Sequence, residues 1–69
     1  IYTDYLSMVF SNPLSTIVKI ADLIHNLSHN PKDSQILKYK YALRSVPPPR
    51  HIRKEMIDHL NSILEKHDI

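Results

Sequence analysis

In the stretch TIVKIADLIHNLSHN, residues 16–30, side chains able to do chemistry recur at three- and four-residue intervals: Lys19, Asp22, His25, Asn26 and His29. A carboxylate such as Asp22 suits a hard divalent cation, and a lysine three residues earlier can pair with it across a helix surface. His25 and His29 stand four apart, the spacing at which a helix presents two imidazoles to one metal ion, but no third ligand follows locally. The commoner use of such a pair is two solvent-facing rings. His51 and His59, eight apart, lack the spacing. The dipeptide His67-Asp68 lies beside the C-terminus and reads as a frayed helix end.

These residues need elements to hold them, and the chain punctuates itself into four segments of helical character. Tyr2, Tyr5, Leu6, Val9 and Phe10 recur at helical spacing. Asn12 and Pro13 form an N-cap and first-position pair, opening a second helix that runs to about Leu27 or Ser28. After the loop SHNPKDS, Ser34 is placed to cap a third helix, which VPPP ends because proline lacks an amide proton and restrains its predecessor. A fourth helix is expected from about Arg50, with Ile52, Met56, Ile57, Leu60, Ile63 and Leu64 as its apolar face. There is no glycine, no repeat and no strand-like alternation, so the expected architecture is all-α with about four helices.

Winding the second helix at about 100° per residue spreads Leu14, Ile17, Val18, Ile20, Ala21, Leu23, Ile24 and Leu27 over roughly 220° of its circumference. That arc predicts burial on several sides. Ser15, Lys19, Asp22, His25, Asn26 and His29 share the remaining sector as one axial polar stripe. Helix geometry leaves two uses of Asp22 open. It can be the surface partner of Lys19, or a carboxylate held for function, which burial makes costly unless it is paired or metal-bound.

Composition narrows the classes. With 69 residues, only about 60% of the unfolded surface can be buried, which makes a self-sufficient core marginal. No cysteine is present to add a disulfide, and a reducing, cytoplasmic setting is the default expectation. No apolar run is long enough to span a bilayer, and the N-terminal residues have no basic region ahead of an apolar one. Membrane association is therefore not expected. The net charge is +2, but Lys38, Lys40, Arg44, Arg50, Arg53 and Lys54 fall in a stretch without acidic residues. An acidic partner would meet the chain there.

YTDYLSMVFSNPLSTIVKIADLIHNL followed by ILKYKYAL resembles the C-terminal part of the HD-domain metal-dependent phosphohydrolases, in the branch related to RelA/SpoT-type guanosine tetraphosphate (ppGpp) hydrolases. In that branch a buried helix reads approximately V-K-x-A-D-x-x-H-N, matched by Val18, Lys19, Ala21, Asp22, His25 and Asn26. The Tyr-x-x-Tyr helix with its Asn-Pro stop and the later Lys38, Tyr39, Ala42 and Leu43 extend the resemblance over about residues 2–43. It implies residues 1–46 as the C-terminal part of an HD-like helical bundle, with 47–69 a proline-rich turn and an amphipathic helix outside it.

The resemblance further implies a divalent ion, commonly manganese, held in the complete protein with Asp22 as the last of its ligands. Asn26 then lies against a nucleotide-like phosphorylated substrate, and Lys19 either steadies the Asp22 carboxylate or reaches the substrate. The guanosine tetraphosphate hydrolases usually continue Asn-x-Arg-Thr where this chain has Asn26-Leu27-Ser28-His29, so guanosine itself is not implied. The family's other ligands, a His and a His-Asp dyad, precede that Asp, yet no histidine occurs before Asp22. No catalytic residue is assigned in the chain itself. The expected function is a fragment of an HD-type phosphohydrolase, incomplete alone. The alternatives are a non-catalytic helical interaction module, prone to self-association through its apolar faces, and, less favoured, a nucleic-acid-binding domain using the basic 38–54 segment.

A metal cage with three of its ligands missing does not form, so the 69-residue chain is expected to release no phosphate or pyrophosphate from nucleotides in the presence of manganese. Manganese-dependent release that persists in Asp22→Ala, measured by a phosphate assay, contradicts the assignment.

Overall fold

The computed structural model describes residues 1–67 as four α-helices: α1 (Tyr2–Val9), α2 (Pro13–Leu27), α3 (Asp33–Ser45) and α4 (Lys54–Lys66). The architecture is all-α, with no strand among the described residues.

The α1–α2 joint is built from short polar side chains. Asn12 has extended backbone, as the residue before a proline should. Its Oδ1 accepts from the amides of Leu14 (2.9 Å) and Ser15 (3.2 Å), satisfying two of the donors a helix start leaves unpaired. Ser15 Oγ donates back to the Val9 carbonyl (2.5 Å). Thr16, the buried polar residue of the core, donates to the Asn12 carbonyl (2.8 Å). The turn between the two helices is thus tied from both sides. At the other end of α2, Ser28 Oγ donates to the Ile24 carbonyl (2.7 Å), and Asn30 adopts a left-handed φ of 50°, tolerated by asparagine. Pro31 then carries the chain away.

Two helix starts differ from those expected. Ser34 is not the cap of α3. Lys32 holds the N-cap position with extended backbone and no side-chain bond, and its carbonyl accepts from Gln35 and Ile36. Asp33 then supplies a negative charge in the first turn, where the helix dipole favours it. Nor does α4 begin near Arg50. The chain leaving Pro47–Pro49 makes a turn at Arg50–Ile52, closed by Ile52 N–H donating to the Pro49 carbonyl (3.3 Å). Arg53, at φ −150° and ψ 75°, is still outside the helical region.

The core draws on every helix. Leu6 comes from α1, Ile20, Leu23 and Leu27 from α2, Ile36, Tyr39, Ala42 and Leu43 from α3, and Ile57, Leu60 and Leu64 from α4. Packing is most extensive between α2 and α4, with α1 bridging to α2 and α3; α4 therefore shares the core of the first three helices. The Cα extents are 29 × 27 × 17 Å. The shortest is two helix layers deep, since axes about 8–10 Å apart plus a Cα radius of about 2.3 Å on each side come to roughly 13–15 Å.

So thin a body cannot surround a helix. The expectation that α2 is buried on several sides is corrected here. Its core face is Thr16, Ile20, Leu23 and Leu27, whereas Leu14 and Val18 are 75% and 69% exposed and Ala21 is open to solvent. The wide apolar arc of α2 is real, but this chain covers only one side of it.

Leu60→Ala removes a fully buried side chain and should cost about 2–5 kcal/mol, enough to unfold much of a domain this small. Val18→Ala, on the uncovered side, should stay within about 0.5 kcal/mol. Urea denaturation of the two variants checks the contrast, and equal losses contradict the packing described.

Candidate functional site

Asp22 and Lys19 meet on the outer side of α2. Lys19 Nζ donates to Asp22 Oδ2 at 3.3 Å, one turn apart as helical geometry allows. The two are not equally wet. The Asp22 side chain is half exposed at 50%, while that of Lys19 is only 14% exposed. The polar stripe of α2 therefore contains one ammonium that is largely covered.

Its cover comes from α1. Lys19 Nζ lies 5.2 Å from the Tyr5 ring centroid and 5.6 Å from that of Tyr2, within reach of the attraction between a cation and an aromatic face. Tyr2 is the hub of this corner. Its ring packs at 5.8 Å against Tyr5 and 6.1 Å against Tyr39, and Lys38 Nζ from α3 stands 4.3 Å from its centroid. The Tyr2 hydroxyl is buried without a hydrogen-bond partner among the described residues. Burial raises the Tyr2 pKa above its ordinary 10.0, against the opposing pull of Lys19. Lys19 is also raised above its ordinary 10.5: burial alone works to lower it, and Tyr2, Asp22 and Tyr5 together outweigh that. The sequence showed Tyr2 and Tyr5 only as part of an apolar stripe. Their three-residue spacing was the available signal, but which lysine they would receive depends on how α1 folds back onto α2.

Beside the ion pair runs an open groove of about 540 Å³ between α1 and α2, lined by Tyr5, Val9, Leu14, Ser15, Val18, Lys19 and Asp22. Asp22 thus stands on the wall of the groove that holds the uncovered Leu14 and Val18. Asn26 follows one turn later on α2 and is half-buried.

The described residues contain no group of three His, Cys, Asp or Glu side chains able to hold a metal ion. Asp22 contributes one carboxylate, already partnered by an ammonium, so the donor set among the described residues does not fit a caged divalent ion. His25 and His29 are both exposed with their rings stacked. His51 and His59 are exposed on the turn before α4 and on α4. His67 caps the C-terminal end of α4, and its partner in the His-Asp dipeptide, Asp68, lies outside the described residues. Of the six cations between residues 38 and 54, three have partners among the described residues: Lys38 on Tyr2, Lys40 on the His67 carbonyl (2.6 Å) and Arg50 near Asp58 (3.8 Å).

Comparison with known protein families, with curated proteins and with solved structures finds no match to the chain.

The raised groups fix the sign of an alkaline dependence. A raised lysine gives stability that is complete below its unfolded value, and a raised tyrosine favours the neutral phenol; both contributions are lost as pH climbs past 10.0–10.5 toward the folded values. Stability should therefore decline above about pH 10, and Tyr2→Phe should make the decline shallower, because it removes both the phenol's own titration and the strongest pull that raises Lys19. Melting curves across that range decide it. A variant that superimposes on the unmodified protein contradicts the raised Tyr2 and Lys19 groups.

Proposed function

We propose that the chain is the helical C-terminal portion of an HD-type metal-dependent phosphohydrolase acting on a nucleotide-like phosphate or pyrophosphate ester, and that it has no activity alone. The observation that carries this reading is the place of Asp22: a half-exposed carboxylate on the wall of an apolar groove with no cover. A ligand shared with residues from elsewhere must sit beside a surface that those residues can pack against. Leu14 and Val18 supply such a surface; burying them contributes about 1.5–3 kcal/mol each. In this reading Asp22 offers one carboxylate to a manganese-type ion, Asn26 one turn on faces the substrate, and Lys19 holds the carboxylate in place. The other ligands come from residues outside this chain, and no chemical step is assigned to the residues present.

The same groove also favours a second reading, a helical module that docks another protein through Leu14 and Val18 with Asp22 as a surface partner of Lys19. The two differ in what Asp22 does. In a docking module, Asp22→Ala should cost only about 0–0.5 kcal/mol and leave any response to manganese unchanged.

For the phosphohydrolase reading the experiment is a set of melting curves, in the longer protein that this reading requires, for Asp22 and Asp22→Ala with manganese and with chelator. Manganese should raise the unmodified melting temperature through binding to the folded state, and Asp22→Ala should lose that rise together with nearly all hydrolysis. With chelator the variant should lose no more than about 0.5 kcal/mol, the worth of the half-exposed Lys19–Asp22 pair. Equal rises in both proteins exclude Asp22 as a ligand.

A further inference from the structure

The C-terminal end of α2 carries a second feature, on side chains that the proposed function does not use. The helix ends at Leu27 with Ser28 as its C-cap, so His29 lies just beyond it in the turn, not within the helix as its spacing from His25 suggests. The turn nonetheless keeps the two rings together, with centroids 4.2 Å apart and planes inclined by 36°. Both side chains are exposed.

One hydrogen bond decides what these rings offer. His29 Nδ1 lies 2.7 Å from the His25 carbonyl oxygen. A carbonyl can only accept, so Nδ1 must be the protonated nitrogen, and neutral His29 carries its free lone pair on Nε2. Fixing one ring nitrogen by a backbone carbonyl is how proteins commonly orient a metal-binding imidazole. In addition, the contact anchors His29 to the last turn of α2. Two nitrogen ligands at about 2.0–2.1 Å from one ion lie roughly 3 Å apart, a separation that tilted rings already in stacking contact can meet by small side-chain rotations.

We propose that His25 and His29 form a two-imidazole clamp for one late first-row divalent cation of the nickel, copper or zinc class. Two imidazole nitrogens replace two waters of the aqua ion, and the remaining positions keep water, since no third His, Cys, Asp or Glu joins the pair among the described residues. Imidazole selects these ions over manganese, which prefers oxygen. The clamp is therefore independent of the Asp22 reading and chemically distinct from it. Because it closes over the C-cap, a bound ion fastens the last turn of α2 to the turn that follows.

The test uses nickel chloride with the 69-residue chain, above the ordinary imidazole pKa of about 6.5. Calorimetry should show one saturable equivalent, unaffected by equimolar manganese. His25→Ala and His29→Ala should each weaken it at least about tenfold, since losing a direct ligand costs no less than losing an outer partner of one. His59→Ala should leave it unchanged. Nickel should also raise the melting temperature of the unmodified chain and not of the double variant. Independently of any variant, paramagnetic broadening in the unmodified chain should reach the ring protons of His25 and His29 before those of His51 and His59. Absence of saturable binding, displacement by equimolar manganese, undiminished affinity in the double variant, or broadening that begins at His51 or His59 overturns the clamp.

Discussion

The seam between α2 and α4 is the contact the rest of the molecule depends on. Ile20, Leu23 and Leu27 from one side and Ile57, Leu60 and Leu64 from the other are all buried, each contributing about 1.5–3 kcal/mol of burial. Against this stands a conformational entropy cost of about 1–2 kcal/mol for every residue ordered. In a chain this short few other contacts can offset that cost. The shorter helix α1 is held by Leu6, by Tyr2 packed against Tyr39 of α3, and by the polar ties of the α1–α2 joint. A chain without glycine turns that corner by combining an asparagine cap with a proline at the first helical position.

Spending the core on one face of α2 decides what its other face can be. Leu14 and Val18 flank Lys19 and Asp22 on the outer side, so the groove wall is apolar at one end and charged at the other. A solvated helix face rarely needs two large aliphatic side chains left mostly uncovered, although single exposed apolar residues are ordinary. Here they are clustered, one turn apart, beside a carboxylate whose second oxygen has no partner among the described residues. That clustering gives both functional readings their footing.

The helix count, the Asn12-Pro13 joint and the apolar faces were legible in the sequence because each rests on a local rule: a cap oxygen and its amides, a proline's missing donor, a 3.6-residue period. The starts of α3 and α4 were not. Neither Lys32 nor Arg53 bonds the helix through its side chain, so no residue type marks the boundary. The burial of α2 was misread for a different reason. Periodicity reports which side chains are apolar, not whether a neighbour exists to cover them, and the other three helices lie on one side of α2. Likewise the Lys19–Asp22 pair was legible from its spacing, whereas the tyrosines around Lys19 belong to another helix and required the fold. The His25–His29 spacing was visible at once, but the bond that leaves Nε2 of neutral His29 available depends on the turn after α2.

Which partner holds Lys19 determines how freely Asp22 can act. An exposed ion pair contributes about 0–1 kcal/mol, and Asp22 is half in water. A cation facing an aromatic ring contributes about 0.5–1 kcal/mol when exposed and about 2 when desolvated. Lys19 faces two such rings with its side chain largely covered. The aromatic corner therefore retains the ammonium at least as strongly as the carboxylate does. Lys19 does not need Asp22 to stay where it is, so Asp22 can turn toward an incoming cation without releasing a buried charge into an apolar surrounding. An arrangement in which the carboxylate alone satisfied the lysine would lock both. Here the lysine is held from α1, leaving Asp22 the movable member of the pair.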